Sequence, residues 1–192
     1  MKPIAPQEVR VWDPAIRLFH WSLVGAFVAS YLSGDEWMSL HVNAGYLIGG
    51  LLVFRILWGF IGPRHARFRD FVRAPSAVLT YLRQAARLSA PRHLGHNPAG
   101  GAMILALLVS LTLTVVSGVL LYGTTDFAGP LAGLLRGDLA ADVLEDIHEL
   151  AANLTVVLVV LHLAGVLFAS FEHRENLAIT MVTGRKREET PA

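Results

Sequence analysis

Four long apolar stretches, at residues 16–33, 40–62, 101–122 and 144–170, each come close to or exceed the roughly 20 residues a helix needs to cross a bilayer. Inside a bilayer every backbone N–H and C=O must be satisfied within the protein, which leaves helices or a closed barrel. Stretches of this length are far longer than barrel strands. The chain is therefore expected to be an all-α membrane protein, a four-transmembrane-helix bundle formed as a single domain over residues 1–192. Composition agrees, with 54% hydrophobic and only 16% charged residues, against about 25% charged in soluble domains. Four spans use most of the chain and leave no room for a second folded domain. Pro3, Pro6 and Pro14 precede the first span and no small-residue cleavage site follows it, so it is expected to stay in the membrane.

The charges are segregated. The connection between the second and third spans carries Arg64, Arg67, Arg69, Arg73, Arg83, Arg87 and Arg92 against Asp70. Lys2 and Arg10 lie near the N-terminus, and Arg174, Arg185, Lys186 and Arg187 near the C-terminus. The other two connections are acidic, with Asp35 and Glu36 in one, and Asp126, Asp138, Asp142, Glu145 and Asp146 opposed by Arg136 in the other. The positive-inside rule then places both termini and the Arg-rich connection in the cytoplasm. Residues 75–89 of that connection repeat Val78, Leu82, Ala85 and Leu88 at helical spacing beside a stripe of Arg83 and Arg87. This pattern suits an interfacial helix lying on anionic lipid. Membrane lipid is thus an expected partner, and nucleic acid is not.

Four histidines fall within the spans: His20, His41, His148 and His162. A buried intramembrane histidine needs a partner. His148 and His162 are 14 residues apart, which on a helix is about 21 Å in height and about 40° in direction. One face of one helix thus presents an imidazole towards each side of the membrane. By depth, His20 pairs with His162 on the inner side and His41 with His148 on the outer side. Two matched pairs describe axial ligation of two stacked b-type haems. A zinc or copper site would gather its ligands at one level. The chain has no cysteine, which excludes thiolate-bound iron–sulfur clusters and covalent haem attachment through Cys-x-x-Cys-His. Taken singly, each histidine could instead be a packing residue or a proton relay. His65, His93, His96 and His173 are expected to be ordinary polar side chains of the connections and tail.

Other residues fit around these ligands. Gly45 and Gly49 follow His41 at four-residue steps, where small residues admit a flat macrocycle or pack helices closely. Arg55 lies on the face of His41 towards the inner side, and Arg17 stands one turn before His20. Both are candidates for holding haem propionates, although Arg17 could simply snorkel. Thr112, Thr114 and Ser117 in the third span are expected to bond to backbone or to neighbouring helices.

The run Trp12-Asp13-Pro14-Ala15-Ile16-Arg17-Leu18-Phe19-His20-Trp21 resembles the first-helix signature of the bacterial cytochrome b561 family, which overlaps with the b-type cytochrome subunits of nickel–iron hydrogenases. Leu40-His41-Val42-Asn43-Ala44-Gly45 with Phe54-Arg55 resembles that family's second helix. His148-Glu149-Leu150-Ala151-Ala152-Asn153-Leu154 with Leu161-His162 resembles its fourth. The resemblance implies a four-helix bundle of the bacterial inner membrane holding two non-covalent haems b. It also implies electron exchange with the quinone pool, and often a homodimer. The chain departs from the pattern in its longer Arg-rich connection and in the His173–Leu177 tail.

The expected function is transfer of electrons between a redox partner and quinone. A c-type cytochrome, a hydrogenase or another dehydrogenase are the candidate partners, and in the latter cases the chain would be the membrane anchor subunit. A non-redox small transporter or anchor is the reading from another class.

Overall fold

Helix starts are set by short polar signals at the ends of the apolar stretches. The computed structural model describes residues 8–34 and 36–188. Lys2, Pro3, Pro6 and Asp35, used above, lie outside the described residues. Strand β1 (Glu8–Arg10) is followed by α1 (Pro14–Ser33), α2 (Met38–Ile61), a single turn α3 (Phe68–Phe71) and α4 (Pro75–Ala85). Then come α5 (Pro98–Thr125), α6 (Asp138–Glu172), α7 (Leu177–Thr183) and β2 (Arg185–Arg187). Asp13 caps α1, its Oδ1 accepting from the N–H groups of Ala15 and Ile16 at 3.0 and 3.1 Å. Asn97 caps α5 by accepting from Gly100 N–H at 2.7 Å. Each cap precedes a proline, whose fixed φ and missing N–H suit the first helical position. Before α6, Gly137 takes a φ of 96° that favours glycine.

Helices α1, α2, α5 and α6 have 20, 24, 28 and 35 residues and are long and apolar enough to cross a membrane. This is a multi-pass membrane protein. Its surface is inverted relative to a soluble protein, with Leu18, Leu167 and Phe171 each more than 70% exposed while Thr155 is 0% exposed. Helix α6 begins six residues before the expected 144 because Asp138, at the positive end of the helix dipole, favours a start there. The acids Asp138, Asp142, Glu145, Asp146 and Glu149 are all exposed on its first turns. The helix expected over 75–89 stops at Ala85, and Leu88 then takes a φ of 53° as Ser89 N–H closes onto Gln84 O at 3.0 Å.

The described chain divides into two compact units. One comprises Ser22–Phe54 and Leu105–Leu161. Its core is Ala26, Ile48, Leu52 and Leu111, packed by Leu23, Phe27, Leu108 and Val115. A buried hydroxyl pair joins α5 to α6 there, Ser110 Oγ to Thr155 Oγ1 at 2.7 Å.

The other unit comprises Met1–Trp21, Arg55–Ile104 and His162–Ala192. In it β1 and β2 pair antiparallel, Val9 opposite Lys186, and Gly184 O accepts from Val11 and Trp12 N–H at 2.9 and 3.1 Å. The described chain is mostly helical, as expected, and this two-stranded sheet is an addition to it. Three-residue strands are too short to show an alternating pattern, and their pairing is a tertiary event.

Beside the sheet, the Glu175 carboxylate meets Arg92 at 3.0 Å and Lys186 at 3.6 Å. Burial pushes its pKa up, but the Arg92 hydrogen bond and the Lys186 charge outweigh burial and hold it below the ordinary 4.5. A carboxyl whose folded pKa is lowered stabilises the protein above its unfolded pKa, and that stability is lost as pH falls through the folded value. Glu175→Ala is expected to cost about 3–5 kcal/mol by breaking a buried pair. The measurement is the melting temperature of purified protein at pH 7 and at pH 3, where the difference between variant and parent should shrink in acid. Glu175→Leu with Lys186→Met together should be milder than either alone.

Candidate functional site

In the first-described unit, the imidazoles of His41 and His148 face each other with centroids 5.9 Å apart and planes at 75°. His41 lies in the first turn of α2 and points at the C-terminal turn of α1. The last four carbonyls of a helix have no intrahelical partner. One of them, Ser30 O, accepts from His41 Nδ1–H at 2.8 Å and also from the Ser33 hydroxyl at 3.2 Å. His148 Nδ1–H donates in the same way to Thr114 O on α5 at 2.9 Å. A carbonyl can only accept, so each ring carries its proton on Nδ1 and its free lone pair on Nε2.

Gly118 makes the second of these bonds possible. It stands one turn after Thr114, and a Cβ there would fall 2.7 Å from His148 Cε1 and 2.9 Å from Nδ1. Beside the two rings opens a cleft of about 90 Å³, lined also by Gly45, Tyr46, Gly118 and Tyr122. A Cβ on Gly45 would meet nothing within 4 Å, whereas one on Gly49 would meet Val115 Cγ1 at 3.3 Å. Thr112, Thr114 and Ser117 bond to carbonyls four residues back in α5, as expected of hydroxyls in a span.

The other unit holds His20 and His162, both half-buried. His20 Nδ1 is sealed from solvent with no hydrogen-bond partner, as are Arg17 Nε and Arg55 Nη1. Arg17 also donates from Nη2 to Val182 O. Arg55 is 4% exposed, and its guanidinium sits 5.0 and 5.7 Å from the rings of Phe68 and Phe71. Asp13 is the acid that acts on it. The structure thus brings the His41 ring to the His148 ring in one unit and places His20 and His162 in the other.

Two of the remaining histidines depart from expectation. His96 is not an ordinary polar side chain of a connection. Its ring packs 4.5 Å from Trp12 and 5.0 Å from Phe71, with Nδ1 sealed and unpartnered. Burial, then the positive charge of Arg55 and Lys186, lower its pKa from 6.5 to about 3, so it is neutral at physiological pH. His173 turns inward too, its Nε2 4.0 Å from Glu172 Oε2. The contacts that bury the His96 ring come from Trp12 and Phe71, distant in the chain, and leave no local pattern.

Residues 11–184 match the family model described as prokaryotic cytochrome b561. The chain belongs to the prokaryotic cytochrome b561 family. It is similar to a "Probable Ni/Fe-hydrogenase B-type cytochrome subunit" of Rhodobacter capsulatus, at 23% identity over 93% of this chain and 81% of that one. Proteins of the same name from Rhizobium leguminosarum bv. viciae, at 22% identity over 96% and 91%, and from Azotobacter vinelandii, at 26% over 92% and 87%, are also similar.

A b-type cytochrome of this family implies haem b, and the residues present fit it. A metal bonded at roughly 2 Å to one nitrogen of each of two rings spaces their centroids by roughly 6 Å, close to the His41–His148 separation. Carbonyl-bound Nδ1–H groups leave Nε2 as the ligating atom, the usual outer-shell arrangement for a metal-binding histidine. In the unit of His20 and His162, the sealed Arg17 Nε and Arg55 Nη1 lack acceptors, which suits a cofactor that carries carboxylates.

Proposed function

We propose that this b-type cytochrome holds two haems b, one between His41 and His148 and one between His20 and His162, and passes electrons between a redox partner and the quinone pool. The observation that carries the reading is the facing pair His41 and His148, each ring committed through Nδ1 to a backbone carbonyl. Haem held by these histidines would supply a one-electron iron couple. The two carbonyls fix the tautomer and orientation of their histidines and make Nε2 more basic. Gly45 and Gly118 leave space beside the rings, Gly49 sets the approach of α2 to α5, and Arg17 and Arg55 supply positive charge for propionates.

The Arg-rich connection and both termini are assigned to the cytoplasm, with α4 lying on the inner leaflet and Leu79 and Leu82 turned to lipid. His20 and His162 then form the inner site and His41 and His148 the outer one. Quinone is placed beside the inner site, near Arg17 and Arg55. The printed names of the relatives favour a nickel–iron hydrogenase as the electron donor.

Purified protein should give two haems b per chain in a pyridine haemochrome assay, all removed by acid–acetone. One haem per chain, or haem left bound after extraction, would sink the proposal. A quinol analogue should reduce both haems, and Arg55→Leu should slow that reduction or lower the inner haem's potential. Unchanged kinetics and potentials in that variant would count against both the propionate role and the quinone position.

A further inference from the structure

The unit that holds His20 and His162 contains buried donors with nothing to donate to. Arg17 Nε, Arg55 Nη1 and His96 Nδ1 are each sealed from solvent and lack a hydrogen-bond partner. An unsatisfied buried donor costs about 1–3 kcal/mol, and more when charged. Several together in one unit point to a missing acceptor. The charged groups that bear on His96 are Arg55, Lys186, His65 and His162, all of them basic. An acceptor that answers such a set is an anion.

His96 and Arg55 converge on one side chain. The Phe71 ring, 2% exposed, lies 5.0 Å from the His96 ring and 5.7 Å from the Arg55 guanidinium carbon. Trp12 also packs on the imidazole, at 4.5 Å. The ring is therefore clamped by two aromatics, which restricts its rotation and holds Nδ1 in place.

Held in this way, a neutral imidazole protonated on Nδ1 makes one directed hydrogen bond to a carboxylate without adding a buried charge. Arginine supplies the charge beside it.

Resting on the reading that His20 and His162 hold a haem, we propose that His96 donates from Nδ1 to a propionate carboxylate of that haem, sharing it with Arg55. His96 is then a positioning residue that tunes the inner haem, a third histidine at a site where the sequence shows two. A donor on a propionate disperses its negative charge and makes the iron easier to reduce, so loss of the donor lowers the potential.

Three variants test this in the haem-loaded protein. His96→Phe keeps an aromatic ring between Trp12 and Phe71 but removes the donor, His96→Asn keeps a donor, and His96→Ala removes both. The readouts are the midpoint potential of each haem, the propionate bands in resonance Raman spectra, and the low-spin signature. Phe should weaken the inner haem's electron affinity about tenfold, about 59 mV for one electron, and shift its propionate band. The outer haem should be unchanged in every variant, which also reports folding, and Asn should restore most of the potential.

An unchanged inner potential and propionate band in the Phe variant would overturn the proposal and leave His96 a packing residue. Loss of the low-spin inner signal in the Phe variant would also overturn it, by making His96 an axial ligand. Failure of the underlying reading looks different, because His20→Ala and His162→Ala would then leave the parent haem content intact.

Discussion

Alanine in place of either His41 or His148 should remove the same haem, halving the haem content and erasing one set of low-spin signals. His20→Ala and His162→Ala should each remove the other set. The grounds are geometric for the first pair, whose rings face each other at 5.9 Å with both Nδ1 protons held by carbonyls. A non-covalent haem that lost one of these histidines would be held by a single protein ligand, with one carbonyl-fixed imidazole in place of two. Glycine variants of the same histidines, given free imidazole, should recover the missing signals, which separates lost ligation from misfolding. If His20→Ala and His148→Ala erased the same signals, the pairing would be wrong.

Gly118→Val should also empty the outer site, although residue 118 ligates nothing. The first added carbon would lie 2.7 Å from His148 Cε1, inside any tolerable contact. The valine branches would then cover the Thr114 carbonyl that fixes the ring. The imidazole must swing away, and Nε2 leaves the cleft with it. Lesions of such outer-shell support lower metal affinity by about 10–100-fold. Gly50→Ala, where a Cβ meets nothing within 4 Å, is the matched control and should keep full haem content. Haem titration of the two apoproteins, followed by the bis-imidazole absorbance, makes the comparison, and equal affinities would remove Gly118 from the site.

The parts of this site that are legible in the sequence are those that break a pattern. A histidine or an arginine in an apolar stretch is conspicuous, so His20, His41, Arg55, His148 and His162 stand out by residue type alone, and helical periodicity sorts them by depth. The groups that hold them break no pattern. Ser30 and Thr114 act through backbone carbonyls, which every residue carries. Gly118 is one glycine among many in the spans, and its value depends on a ring that arrives from α6. His96 sits in a Gly-Pro-rich turn, where a histidine looks solvated until Trp12 and Phe71 close over it from segments far away in sequence. Helix existence followed from apolar length. Helix ends did not, as the early start of α6 shows, because dipole and capping effects act over single turns.

The pairing of β1 with β2 has a meaning in time. β1 is made long before β2, the partner that closes on it. Arg17 and the Val182 carbonyl it meets are separated by 165 positions. At roughly 5–20 residues per second, that interval is on the order of ten seconds or more, during which β1 has no strand to join. Every residue of the unit around His41 and His148 has been synthesised by Leu161, before His162 exists to complete the other pair. Biogenesis therefore has a built-in order. His148 can meet His41 before β2 has been made, and the sheet in the other unit closes only once Arg185–Arg187 exist.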